Sequence, residues 1–255
     1  MSSPILVPMN TVVRSITDPA KLYECVALQK EIWGFDDADL LPVRMLVVAS
    51  KIGGQVFGAY DGDRLAGFLV AIPGYKPSGD VYLHSHMLGV RDEYRNLGVG
   101  KQLKHEQRRD AIDRGITLVE WTFDPLELKN AYFNLERLGV VVRRYSLNQY
   151  GVTSNRFDTG LPSDRCTAEW WVSSRRARAV ASGASGRPWP TVDARIAVPV
   201  EVALLREVDA VKAREVQRRV SAQFMEQFSR GLAVIGFEKT DTHGVYLLGE
   251  WEGAA

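Results

Sequence analysis

Arg91-Asp92-Glu93-Tyr94-Arg95-Asn96-Leu97-Gly98-Val99-Gly100-Lys101 follows directly on the apolar run Met87-Leu88-Gly89-Val90. A strand therefore ends in a short turn that opens a helix, with Arg95, Gly98 and Gly100 spaced R-x-x-G-x-G. This arrangement suits a phosphate ligand. The first turn of a helix leaves several backbone N–H groups without partners, and the helix dipole places partial positive charge there. Glycines remove the side chains that would hold a diphosphate away from those donors. The cradle predicted on this basis is the backbone of Asn96, Leu97, Gly98, Val99, Gly100 and Lys101. Arg95 could add a guanidinium, or serve only as a solvated turn residue.

Two commoner phosphate motifs fail on residue identity. A Walker loop needs a glycine where Arg95 stands and Ser or Thr where Gln102 stands; a Rossmann fingerprint needs a third glycine at Leu103.

Outward from this stretch, the chain alternates strands and helices. Thr11 to Ile16 reads as a strand, and Asp18-Pro19 starts a helix that Gly34 ends. A second helix spans about Pro42 to Lys51. Gln55 to Tyr60 and Arg64 to Ile72 form a hairpin around Asp61-Gly62-Asp63, and Pro73 to Gly79 is a loop. Val81 to Val90 is a fourth strand, and the helix after the glycine turn runs to Arg114. Ile116 to Phe123 is a fifth strand, Lys129 to Leu138 a short helix ended by Gly139, and Val140 to Tyr145 a sixth strand. Ser173 to Pro190 has linker composition. Beyond it, Glu201 to Arg230 reads as one or two amphipathic helices, and Leu232 to Glu238 and Val245 to Trp251 as strands.

The glycine turn resembles the diphosphate turn of the GNAT superfamily of CoA-dependent N-acyltransferases, written Q/R-x-x-G-x-G/A. A second block, Asn130-Ala131-Tyr132-Phe133-Asn134-Leu135-Glu136-Arg137-Leu138-Gly139, is similar to the helix that closes a GNAT core. Ser85-His86-Met87, Trp121 to Leu126, Asp164-Arg165 and Glu169-Trp170 resemble one branch of the superfamily. The resemblance covers roughly Ile32 to Trp171. It implies a GNAT acyltransferase fold, a mixed-sheet α/β (α+β) architecture, with a C-terminal α+β extension. The expected domains are residues 1–155 as the acyl-CoA-binding core and 156–255 as the extension, with the linker at about 173–190.

The resemblance also implies the chemistry. Acetyl-CoA or another acyl-CoA is the co-substrate, and the fourth strand splays from the fifth near Met87 to Val90, so that pantetheine pairs with exposed backbone at Leu88, Gly89 and Val90. An N–H near Leu88 then faces the thioester oxygen. Asn130 touches the pantetheine or phosphate arm; its rival role is a helix N-cap. Lys101 and Lys104 could reach CoA phosphates, or merely keep a helix face wet. For the base, Glu120 leads as the carboxylate within the fifth strand, flanked by Val119 and Trp121, against an ion pair with an arginine. His86 is the second candidate, against a core histidine. Many relatives carry a tyrosine four residues before Gly139 to protonate the departing thiolate; Leu135 stands there. Tyr132, Tyr145 or Tyr150 substitutes, or the thiolate leaves without a dedicated acid.

Bulk properties narrow the partners. The 255 residues are 45% hydrophobic and 25% charged, enough for a full core. Lys+Arg 32 against Asp+Glu 31 leaves a net charge of +1, which argues against nucleic acid and against polyamines or basic peptide tails. A small molecule with a primary amine fits better. Arg143, Arg144 and Arg165 could anchor a carboxylate, which would suit an amino acid, and the donor is acetyl or succinyl. Cys25 and Cys166 are expected as reduced thiols, and the absence of a signal peptide or long apolar window points to a cytoplasmic protein outside the membrane. GNAT relatives are often dimers, so a homodimer is allowed. Two rivals stay open: a CoA-binding module without catalysis, and a His84-x-His86 metalloprotein drawing a third ligand from His105, His243 or a distant carboxylate. No metal is expected.

Overall fold

The computed structural model describes residues 11–151, 160–183, 191–251 and 253. Two compact units emerge, residues 1–79 with 83–114 and residues 80–82 with 115–255.

The first unit carries β1 (Val12–Ser15), α1 (Pro19–Trp33), α2 (Val43–Lys51), β2 (Gln55–Asp61), β3 (Arg64–Tyr75), the greater part of β4 (Val81–Val90) and α3 (Val99–Asp113). Its strands run in the order β1-β2-β3-β4. Asp18 caps α1 by accepting from the Ala20 N–H at 2.9 Å, Pro19 takes the first turn, and Gly34 closes the helix in the left-handed region. One face of α1 (Leu22, Cys25, Leu28, Ile32) packs with Leu46 and Ala49 of α2 on Val56, Tyr60, Phe68 and Val70 of the hairpin. Gln29, buried in this layer, bonds both the N–H and the carbonyl of Leu41 at 2.8 and 3.0 Å and so fixes the path from α1 to α2. On the opposite face Gln55 reaches α3, donating to the Gln107 carbonyl at 3.2 Å and to Asp110 at 2.6 Å. The hairpin is as expected, but β3 continues to Tyr75 and takes up the start of the anticipated loop.

The second unit contains β5 (Leu118–Phe123), α4 (Leu128–Tyr132) running on as a π-helical turn (Phe133–Leu138), β6 (Val141–Ser146), β7 (Arg165–Trp171), α5 (Arg175–Ala181), β8 (Ala194–Pro199), α6 (Val202–Val208), α7 (Ala210–Ser229), β9 (Ala233–Lys239) and β10 (His243–Gly249). Its strand order is β5-β7-β6-β9-β10-β8, and each of these neighbouring pairs is antiparallel. Trp121 meets Trp170 edge to face at 6.0 Å, and Phe224 of α7 packs on Tyr145 and Tyr246. Where one or two helices were expected over residues 201–230 there are two, α6 and α7, and the two strands expected after them are present.

Two strands and a helix had no counterpart in the sequence reading. β7 inserts between β5 and β6, and its five central residues are buried, so it lacks the polar-apolar alternation that marks a half-exposed strand. β8 forms the edge beside β10. Within the span expected as linker, Arg175–Ala181 is helical, started by Ser174 accepting from the Ala177 N–H. Residues 184–190 of that span lie outside the described residues. The α/β fold with a C-terminal addition of strands and helices is otherwise the one anticipated.

Candidate functional site

The glycine turn begins with three fixed points. The Arg91 N–H bonds the Ala66 carbonyl at 2.9 Å, its Nε bonds the Leu65 carbonyl at 2.7 Å, and its guanidinium also reaches Glu31. A single 3₁₀ turn (Asp92–Tyr94) follows, with Tyr94 buried and its hydroxyl on Asp61 at 3.0 Å. Asn96 then adopts φ 64° and Gly98 φ 87°. Gly98 is the N-cap of α3 and offers no side chain to cap it, so the amides of the first turn face outward uncapped. A Cβ on Gly98 would meet nothing within 4 Å; there the requirement for glycine is the backbone angle. A Cβ on Gly100 would meet only Leu88 at 3.6 Å and Val90 at 3.9 Å, ordinary contacts. Glycine at 100 is therefore not demanded by packing.

Arg95 is exposed and turns back on its own segment, bonding the Val90 carbonyl at 3.4 Å and pairing with Asp92 at 2.9 Å. Lys101 is exposed at the first turn. Lys104 is buried and bonds Ser85 at 3.0 Å and Gln107 at 2.9 Å, which removes it from any role on a phosphate. Burial pushes its pKa well below the ordinary lysine value.

β4 breaks its own alternation in the stretch before this turn. Ser85 faces α3 through Lys104, whereas Met87 packs with the α1–α2 layer and Gly89 lies against Ile32 and Trp33 of α1. In a regular strand Ser85 and Gly89 would share a face. The slip falls at His86–Met87, as in a β-bulge, and it turns Leu88 and Val90 toward Gly100. A Cβ on Gly89 would approach Ile32 at 2.7 Å and Trp33 at 2.8 Å, so glycine is required for this close approach. His86 keeps part of its surface in solvent at the slip, and desolvation of the rest of its ring by the surrounding protein lowers its pKa from the usual 6.5. Neighbouring His84, with ring centroids 6.1 Å apart, is lowered by burial first, then by His86 and Lys104. In both rings the shift favours the neutral imidazole.

Glu120 lies on β5 directly opposite Glu169 of β7, and both are buried. A register shift between Val142 and Arg144 of β6 allows the consecutive arginines Arg143 and Arg144 to reach these two carboxylates. Arg143 binds Glu169 through Nε at 3.0 Å and Nη2 at 2.6 Å, and Arg144 binds Glu120 and, at 3.4 Å, Glu169. Both guanidiniums are about half exposed, with side-chain exposures of 46% and 49%. Glu169 escaped the sequence reading as a site residue, although the Glu-Trp pair was noted as a motif.

Comparison with known proteins fits this geometry. The family model described as the Acetyltransferase (GNAT) family matches residues 22–139. Residues 22–139 are a GNAT acetyltransferase domain. The chain is accordingly an acyl-CoA-dependent acyltransferase. Among solved structures, aminoglycoside 6'-acetyltransferase type Ii is 19% identical with a TM-score of 0.51, over 64% of this chain and 99% of that one. A GNAT-family acetyltransferase from Streptococcus pneumoniae is 14% identical with a TM-score of 0.50, over 63% and 98%. At such identities these likenesses speak for the fold alone. No match is found among curated proteins.

Within the GNAT frame, Asn130 is an exposed residue inside α4, whose N-cap position is Glu127. The capping role is thereby excluded, and its side chain is available to a ligand. Leu135 is buried, with its carbonyl held by Arg176. Of the substitute tyrosines, Tyr145 is committed to Asp164 and Ser221, and burial raises its pKa far above the usual phenol value. Tyr132 lies under the Lys239 ammonium at 4.1 Å. Tyr150 is exposed, with its hydroxyl 2.8 Å from Thr122 of β5. Asp124 closes the turn after β5, accepting from the Leu126 N–H at 2.8 Å. Among the described residues no group of three His, Cys, Asp or Glu side chains is placed to hold a metal ion, and no helix is long and apolar enough to cross a membrane. Cys25 and Cys166 are buried, free thiols, and burial lifts the Cys25 pKa to about 12.

Proposed function

We propose that this chain moves an acetyl or succinyl group from acyl-CoA to the primary amine of a small molecule. The observation that carries the reading is the uncapped first turn of α3, opened by Gly98 at φ 87° and bordered by Leu88 and Val90. Free amides in a first helical turn, with the positive end of the helix dipole behind them, suit the charge of a diphosphate. The slip in β4 frees the backbone of Leu88, Gly89 and Val90 from regular pleating, which suits pairing with a pantetheine arm. The Leu88 N–H donates to the thioester oxygen as negative charge builds on it, a contribution worth about 2.7–4 kcal/mol where such donors have been removed.

The amine must attack as the free base. His86, whose shift favours the neutral imidazole, accepts the proton that the nitrogen loses as the new N–C bond forms and the C–S bond breaks. Glu120 is the second candidate for that proton, but its carboxylate is tied to Arg144. With Leu135 at the usual tyrosine position, thiolate departs without a dedicated acid, or with Tyr150 as donor. Near-neutral charge and the lack of a basic or acidic run favour a small acceptor over a macromolecule, and an amino acid is the class to test first.

Turnover of a panel of amino acids and other small amines with acetyl-CoA and succinyl-CoA tests the reading; no product with any pair would remove it. Alanine at His86 and at Glu120, one at a time, tells which of the two takes the proton, since only that variant loses turnover.

A further inference from the structure

Among the described residues, side chains and backbone from beyond residue 139, where the family match ends, hold the asparagine-bearing helix at both of its ends. α4 has five residues before the π-helical turn, too few to hold a position by its own hydrogen bonds. At its start, the Arg206 guanidinium of α6 bonds Asp124 Oδ2 at 2.5 Å and Glu127 Oε1 at 2.7 Å. Only 7% of the Arg206 side chain is exposed, whereas Glu127 is 49% exposed. Between the two carboxylates, the Tyr246 hydroxyl of β10 donates to the Pro125 carbonyl at 2.6 Å. At the far end, Arg176 of α5 donates to the carbonyls of Gly139 and Leu135 at 3.0 and 3.1 Å. Glu136 accepts from the Phe237 N–H of β9 at 2.9 Å.

Arg206 is the strongest of these fixings. Glu127 is the N-cap residue of α4, but its side chain makes no capping bond and is spent on Arg206. Asp124 uses one oxygen to close the turn onto Leu126 and the other on the same guanidinium. The planar fork of an arginine can span two carboxylates at fixed angles; a lysine ammonium is a point donor on a flexible stem. The start of α4 is therefore held by a guanidinium that the C-terminal segment supplies, and Asn130 lies three residues beyond Glu127.

We propose that Arg206 is a positioning residue for acyl-CoA binding: its clamp on Asp124 and Glu127 fixes where α4 begins and thereby the reach of the Asn130 side chain. The inference rests on the reading that Asn130 contacts the CoA arm. The C-terminal segment is then part of the co-substrate machinery of the GNAT domain.

Calorimetric titration of the full chain with acetyl-CoA tests this through a double-substitution cycle on Arg206→Met and Asn130→Ala, with thermal unfolding run on each variant. Loss of one properly aimed hydrogen bond corresponds to about tenfold in affinity, so each single variant should bind about tenfold more weakly. If the clamp works through Asn130, the double variant is no weaker than either single one. Arg206→Lys should recover part of the affinity. Effects that multiply to about a hundredfold, or an Arg206→Met variant that binds as the wild type does, would overturn the inference. Should Arg206→Met fail to fold, Glu127→Gln breaks half the clamp at an exposed residue. It should weaken binding about threefold alone and not at all beside Asn130→Ala; an equal effect in both backgrounds overturns the proposal. Wild-type protein that does not bind acetyl-CoA at all would instead remove the functional reading beneath it.

Discussion

Glu120 and Glu169 face each other across the β5–β7 pair, both buried, with the Arg144 guanidinium bound to both carboxylates. Two like charges in opposed strand positions repel unless a cation lies between them. The register shift in β6 supplies two cations from consecutive residues, Arg143 and Arg144. The arrangement gives Glu120 a definite structural duty, and its chemical duty can be measured apart from that.

Glu120→Gln keeps the shape of the side chain and removes its charge. If Glu120 takes the amine proton, kcat falls by about 10²–10⁴-fold. If its work is to pair with Arg144, turnover survives and the melting temperature drops. Arg144→Met leaves both carboxylates short of a partner. Breaking a buried pair costs roughly 3–5 kcal/mol, and the half-exposed arginine places this case at or below the lower end. Thermal unfolding of the two variants beside turnover checks both.

A titration should appear below pH 6.5. His84 and His86 are both held below that value in the folded chain, chiefly by burial. The unfolded chain therefore binds more protons than the folded one in the window beneath 6.5, so stability rises with pH through that window and levels off above it. Loss of the neutral His86 imidazole in the same window gives kcat/KM an acid limb. His86→Gln should abolish the limb in kcat/KM and leave the His84 share of the stability curve; an unchanged limb would remove His86 as the base.

The two glycines of the turn should fail differently. Gly98 holds φ 87°, where a Cβ costs about 1–2 kcal/mol, so Gly98→Ala lowers stability. At Gly100 a Cβ has room, so Gly100→Asp should melt close to the wild type. Its carboxylate would nonetheless project over the helix amides and repel a diphosphate, weakening CoA binding by more than about tenfold. Equal affinity in Gly100→Asp and wild type, measured by calorimetry, would contradict the phosphate reading.

The two lysines of α3 should also separate. Lys104 lies buried on Ser85 and Gln107, whereas Lys101 is exposed at the uncapped turn. Lys101→Met should weaken CoA binding a few-fold, about the worth of one exposed charge contact. Lys104→Met should leave CoA affinity unchanged, and a loss equal to that of Lys101→Met would restore Lys104 as a phosphate contact.

The legible part of this protein was its local chemistry. Asp18-Pro19 and Gly34 bound α1, Gly62 turns the hairpin, and Gly98 opens α3, because caps and positive-φ turns are written in single residues. Where burial overrides alternation, the signal fails: β7 is buried through Cys166 to Trp170 and reads as neither strand nor helix. The position of Lys104 was recoverable, since Leu103, Gln107 and Ala111 share its buried helix face at helical spacing. Arg176 and Arg206 were not recoverable. Their partners lie 41 residues and 82 residues away in the chain, and no local pattern sets such pairs. The slip in β4 is likewise invisible in Ser85-His86-Met87 alone, because only packing on two opposite faces reveals it.

Calorimetric titration of the wild type and of Gly100→Asp with CoA and with pantetheine, which lacks the diphosphate and the adenosine 3′-phosphate beyond it, most directly tests the central claim that the amides from Asn96 to Lys101 hold the diphosphate. The wild type should bind CoA, and pantetheine at least about a hundredfold more weakly, as expected when several charge-assisted hydrogen bonds are lost together; Gly100→Asp should narrow that gap. Equal affinity of the wild type for the two compounds, or an unchanged gap in Gly100→Asp, would contradict the account.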